Sequence, residues 1–186
     1  MSYRWLIALA ACLLAAPGLS QATEWTIDHA GSRLGFEATQ SGAAFDGEFE
    51  EFSAVMRFDP ENLDQALFDV TVDVTSFDSS SSDRDSTVAG KEWFWFKRFP
   101  EARFVTTEFR ALGGDRYEAV GDLTIKGIGR QIVLPFAWII DGDQATMQGD
   151  VTLNRTDFKV GEGDWAKGKT VGLQVDVKVR LALKRS

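Results

Sequence analysis

Residues 120–136 read VGDLTIKGIGRQIVLPF, two short alternating runs on either side of Gly127-Ile128-Gly129. In the first run Leu123 and Ile125 share one face, while Asp122, Thr124 and Lys126 share the other. Ile132, Leu134 and Phe136 repeat the pattern in the second. Two such runs folded at a glycine turn predict an antiparallel hairpin with one face on a core and one in water. Pro135 stands out, because it cannot donate to a ladder, so a bulge or a local opening of the sheet is expected there.

The same period of two recurs along the chain. Phe68, Val70, Val72 and Val74 alternate with Asp69, Thr71, Asp73 and Thr75, and Val175, Val177, Val179, Leu181 and Leu183 do so near the end. Rougher strands read at 25–27, 32–38, 45–49, 54–58, 104–110, 117–126, 130–140 and 145–155. Gly113-Gly114-Asp115 and Asp141-Gly142-Asp143 supply further hairpin turns. At Glu50-Glu51 the apolar phase changes, which predicts a bulge. Residues 83–100 are the least strand-like stretch, and a short helix is expected over 86–98, capped by Ser86 and ended by Pro100.

No βαβ alternation, internal repeat or linker interrupts this all-β pattern, and antiparallel strands with tight turns make a barrel or a sandwich. Alternation alone leaves both open. Fourteen phenylalanines and six tryptophans tip the reading to a barrel, whose interior takes bulky apolar side chains.

The first residues read as a leader. Arg4 precedes an apolar run at 5–16 that is too short to span a bilayer, Pro17-Gly18 break it, and Ser20-Gln21-Ala22 suits signal-peptidase cleavage. The expectation is a signal peptide over 1–22, an exported and periplasmic protein (secreted as the alternative), and one domain over 23–186. Leu9-Ala10-Ala11-Cys12 resembles a lipobox, but the apolar run continues past Cys12 and favours ordinary cleavage. Removing the leader takes away the one cysteine, and with it any disulfide or thiolate chemistry. The whole chain carries a net charge of −8, a balance that argues against nucleic acid and against docking on anionic lipid.

Catalytic groups are sparse. His29 is the one histidine, which excludes a multi-histidine metal site, and no Gly-x-Ser-x-Gly accompanies it. Beside Asp28 it reads as a strand-end histidine bonded to a carboxylate. The pairs Asp83/Asp85 and Glu162/Asp164 read as solvated loop charges, with no EF-hand spacing. The run Trp93-Phe94-Trp95-Phe96, with Phe99, either plugs one end of the sheet or lines a ligand cavity.

Taken together these residues resemble the YceI-like family of polyisoprenoid-binding proteins. The resemblance rests on Trp25-Thr26-Ile27-Asp28-His29, Phe45-Asp46-Gly47-Glu48-Phe49, Asp83-Arg84-Asp85, Trp93-Phe94, Phe99-Pro100-Glu101-Ala102-Arg103-Phe104, Gly121-Asp122-Leu123-Thr124 and Asn154-Arg155-Thr156-Asp157-Phe158. Gly129, Ala30 and the absence of histidine at 86–88 depart from the usual pattern, at loops and polar positions. The resemblance implies an antiparallel up-and-down, lipocalin-like β-barrel of about eight strands with a short helical insertion around 83–100. It also implies a carrier, not an enzyme, holding an isoprenoid lipid or isoprenoid quinone and no other cofactor. The Trp93-Phe94 and Leu134-Pro135-Phe136 variants are similar to members associated with cytochrome b561 membrane proteins, which implies transient contact with such a cytochrome. The alternatives are a non-catalytic partner module of that cytochrome or a lipid-modifying enzyme. By alternation, Phe36, Val70, Val72, Phe104, Leu123, Ile125, Phe136, Trp138 and Phe158 face inward and are the candidate pocket residues.

Overall fold

The structure is a computed structural model that describes residues 22–186. The expected leader lies outside the described residues, apart from Ala22. Ten strand segments follow: β1 Glu24–Gln40, β2 Ala43–Phe49, β3 Phe52–Arg57, β4 Leu67–Asp73, β5 Phe77–Asp78, β6 Glu101–Gly113, β7 Arg116–Ile125, β8 Ile128–Asp141, β9 Gln144–Asn154 and β10 Gln174–Arg185. One helix, α1 Ser82–Val88, lies between β5 and β6.

Pairing reduces the ten segments to eight staves. Both β2 and β3 pair with β1, so they form one stave broken at Glu50-Glu51. β4 pairs with β3 and β5 with β2, a second stave interrupted by the 3₁₀ turn Val74–Ser76. The remaining strands follow as neighbours, and β10 returns to pair with β1. The result is a closed antiparallel eight-stranded barrel, the architecture the resemblance implies and the aromatic content favours over a sandwich. Closure removes the exposed sheet edges an open sheet would present over most of the barrel's circumference.

Three local expectations are revised, and a fourth, at Pro135, is met by an opening of the sheet and not by a bulge. The 120–136 hairpin turns at Lys126-Gly127, one residue earlier than the Gly127-Ile128-Gly129 reading, so that Ile128 pairs with Ile125. Both turn residues have positive φ, +53° and +73°, the backbone of a two-residue turn whose twist matches that of the strands. At Glu50-Glu51 the chain breaks its stave and turns a corner, with the Glu50 N–H donating to the Ser76 carbonyl and the Glu51 N–H to the Ser76 hydroxyl. The bulge lies on the neighbouring strand, where the β1–β10 register shifts between Asp28 and Arg33.

At Pro135 the β7–β8 ladder runs through without a bulge, and the opening falls on the other side. The β8–β9 ladder stops at Phe136 opposite Gly149, beside the missing N–H. Beyond that point β8 pairs only with β7 and β9 only with β10, so a seam opens towards the Lys126-Gly127 end.

The helix, finally, covers Ser82–Val88, earlier than the expected 86–98, and Ser81 precedes it in place of Ser86. The Asp85 carboxylate accepts from the Ser79 N–H and hydroxyl at 3.1 and 2.6 Å, tying the first turn back to the end of β5. Asp83 and Asp85 also suit a helix N-terminus. Past Gly90 the aromatic run coils through successive tight turns, with Trp95 at φ +56°.

Two apolar clusters divide the interior. The larger fills the end of the barrel where β1 begins and β10 ends, and packs Trp25, Met56, Phe58, Phe68, Phe136 and Trp138. The smaller, with Val88, Trp93, Phe158 and Val160, sits under the loops of the opposite end. Between them Gly121 lets β6 and β7 approach closely. A methyl group there would stand 2.5 Å from the Val105 carbonyl oxygen and 2.7 Å from the Phe104 ring. Gly121→Ala is therefore expected to lower stability by about 1–3 kcal/mol, measured as a reduced urea midpoint with the β-sheet circular dichroism retained.

Candidate functional site

Between the two clusters lies a cavity of about 550 Å³. Its walls are the inward residues of nearly every stave, such as Leu34, Val70, Phe104, Val151, Val177 and Val179. Most of these wall residues remain half-buried although they point inward, whereas Phe58, Phe68 and Trp138 below them are 0–1% exposed. The upper half of the barrel is lined with apolar surface that no protein group covers. That arrangement suits one small apolar molecule.

Seven of the nine candidates lie on the cavity wall: Phe36, Val70, Val72, Phe104, Leu123, Ile125 and Phe158. Phe136 and Trp138 do not, and this corrects the sequence reading. They face inward with the same parity as Ile132 and Leu134, but further along β8, where rings fill the barrel. Alternation reports which face a side chain takes and nothing about its height along the axis. Val175, Val177 and Val179 belong to the wall by the same parity that found Val70 and Val72, and the candidate set omits them. Phe45, Phe49 and Phe77 also line the wall and are missed: the first two share the phase read at 45–49, and the two-residue β5 that holds Phe77 shows no period.

The aromatic run serves both roles proposed for it. Trp93 and Phe94 line the cavity, Phe96 stacks behind Phe94 at 6.3 Å, and Trp95 packs outside against Phe99, Lys91 and Arg98. The indole N–H of Trp93 has no hydrogen-bond partner. His29 stays exposed and away from the cavity, its ring 5.2 Å from that of Phe52, while the Asp28 carboxylate accepts from the Ala30 N–H. The expected histidine–carboxylate bond does not form, and the Asp28 carboxylate serves the β1 bulge. Among the described residues no three His, Cys, Asp or Glu side chains are grouped to hold a metal.

Polar side chains reach the wall mainly on one side, where α1 meets the β1–β2 turn: Gln40, Ser81, Asp83, Arg84 and Thr87. Asp83 and Thr87 are exposed as well as lining the cavity, which marks the mouth. The Arg84 guanidinium donates to the Ser79 hydroxyl and carbonyl at 3.0 and 2.9 Å and to the Gln40 side-chain oxygen at 3.3 Å, and it lies 4.4 Å from the Phe45 ring centre. It forms no direct ion pair among the described residues, and the carboxylates nearest it at the mouth are Asp83 on the wall and Asp85, which accepts from the same Ser79 hydroxyl.

Segment 155–172 covers the rest of the opening and is knotted around Arg155. This side chain is 5% exposed, and its guanidinium donates to five backbone carbonyls, those of Val160, Gly161, Trp165, Val171 and Gly172, at 2.6–3.0 Å. Burial pulls its pKa down from the ordinary arginine value. Lys126 in the hairpin turn latches the same segment, donating to the Lys159 carbonyl at 2.8 Å and to the Glu162 carboxylate at 2.9 Å. The Lys126 bond holds the Glu162 carboxyl below its usual range.

Comparison with known proteins agrees with this architecture. Residues 25–183 match the model of the YceI-like domain. A UPF0312 protein of Vibrio parahaemolyticus is 28% identical over 159 residues, covering 81% of this chain and 84% of its own. The crystal structure of Burkholderia cenocepacia BcnA superposes with a TM-score of 0.81 at 34% identity, covering 84% of this chain and 98% of that one. A polyisoprenoid binding domain from Saccharophagus degradans, implicated in plant cell wall breakdown, shares the fold at a TM-score of 0.69 and 12% identity, covering 88% and 99%.

Two outcomes follow from the cap. Arg155→Leu strands five carbonyls and is expected to cost about 3 kcal/mol or more in denaturant unfolding, with Arg155→Lys recovering little because one ammonium cannot span them. The depressed Glu162 pKa stabilises the fold above the unfolded-state carboxylate range, and that contribution is lost as pH falls through the folded-state value. Glu162→Gln is therefore expected to flatten the acid limb of the stability profile while leaving it unchanged in shape above about pH 6.

Proposed function

The chain belongs to the YceI-like family, and from that premise we propose that it is a periplasmic carrier of an isoprenoid lipid or isoprenoid quinone. The observation that carries the reading is the uncovered apolar wall above the ring-filled end. A branched hydrocarbon tail would cover that wall, and burying several hundred Å² of it contributes roughly 10 kcal/mol gross, before association and ordering costs. The binding activity of the Saccharophagus degradans domain, which has the same fold, supports the choice of ligand class.

Export rests on the leader read at 1–22. A protein that shields such a tail in water needs no catalytic group, and the exposed His29 takes no part. The head of the molecule stays at the mouth beside Arg84, where a phosphate or a quinone carbonyl meets a positive charge. Handing the cargo on requires only transient contact, for which a membrane cytochrome is the partner in the quinone case.

Mass spectrometry of organic extracts from protein purified without delipidation is expected to show an isoprenoid species in about one-to-one ratio. Polyprenyl compounds added to delipidated protein are expected to quench tryptophan fluorescence, and Trp93→Phe combined with Trp165→Phe to remove most of the change, since these are the tryptophans on the cavity wall. A protein that carries no isoprenoid and shows no quenching is not this carrier.

A further inference from the structure

We propose that the ring-filled end of the barrel acts as a length gauge, with Met56, Phe68, Leu134 and Met147 setting the longest isoprenoid tail the cavity accepts. The inference rests on the carrier reading and adds the size class of the ligand. These four side chains line the cavity and also belong to the packed cluster beneath it. They are 1–6% exposed, and directly behind them Phe58 and Trp138 are fully buried, with ring centres 4.7 Å apart. Phe68 is held by Phe58 at 5.8 Å, Phe109 at 4.8 Å and Trp138 at 6.0 Å. Interiors packed in this way have no space into which a tail can slide. The floor is rigid where the wall is open.

Strand β10 measures the depth. Its inward residues Val175, Val177, Val179 and Leu181 line the cavity, while Leu183 already lies within the packed cluster. Six residues at about 3.3 Å each, on a strand tilted by about 40°, span roughly 15 Å along the axis. One isoprene unit adds four chain bonds, about 5 Å when extended, so about three units reach the floor straight. The gauge therefore lies at about three units for a straight tail and higher for one that folds within the cavity. Carbons beyond it remain in water and add no burial.

The test is a binding series of polyprenyl phosphates, from about two to about ten isoprene units, on the delipidated full chain, followed by tryptophan quenching. Affinity is expected to rise by about tenfold or more per unit up to the gauge and then to stay level within about twofold. Met147→Ala, and the milder Phe68→Leu should the first fold poorly, are expected to move the break to longer tails by removing side-chain volume from the floor. Ala54→Phe, which adds a ring to the wall one step above Met56, is expected to move it to shorter ones. A wild-type affinity that climbs through the longest member, or a break that none of these variants moves, overturns the gauge and leaves the carrier standing. Failure of every member to bind the wild type overturns the carrier reading and the gauge with it.

Discussion

The ring packing around Phe58 is the contact on which the rest of the barrel depends. Phe68, Phe109, Tyr117, Phe136 and Trp138 all lie with ring centres 4.7–5.8 Å from it, and they come from β4, β6, β7 and β8. Trp25 of β1 joins through Trp138 and donates its indole N–H to the Phe58 carbonyl at 2.9 Å. A barrel left empty along half its length forgoes the core contacts that hold most domains together. Concentrating bulky rings at one end closes the staves tightly there, and the other end is free to remain hollow.

The hollow end is held by polar contacts. One buried guanidinium, Arg155, ties five carbonyls of a loop whose own structure is limited to two short 3₁₀ turns, and Lys126 fastens that loop to the hairpin turn. The arrangement also covers the seam where β8 and β9 part beside Pro135, because segment 155–162 follows β9 and is latched to the end of β7. Phe158 and Val160 pack with Val88 and Trp93 beneath the loop, a cluster much smaller than the one at the other end, and directional bonds from a charged donor add the order it lacks.

Much of the fold was legible in period-two alternation, since Val70/Val72, Leu123/Ile125 and Val175/Val177/Val179 all face inward as the pattern implies. The broken staves were harder to read. The two-residue β5 has no room to show a period, and the bulge announced by the phase change at Glu50-Glu51 was displaced onto β1, because register is a property of a pair of strands and not of one. The helix was misplaced for a similar reason: what starts it is the Ser79–Asp85 bond to the end of a strand, a contact no helix pattern records. Arg155 was visible only within Asn154-Arg155-Thr156-Asp157-Phe158, and nothing in that stretch signals that its partners lie 5–17 residues further on.

The sequence by itself determined the strands, their inward faces, the hairpin at 120–136 and the aromatic load that a barrel interior can absorb. Those features are local, written in the two-residue repeat of an extended chain and in turn chemistry. Only the tertiary structure decided which inward residues touch one another and which border empty space. Phe136 and Leu134 are two positions apart on one face of β8, yet the first is sealed among rings and the second borders the cavity. The physical reason is that depth along the barrel depends on where eight tilted strands bring their large side chains to the same level, and no single strand carries that information.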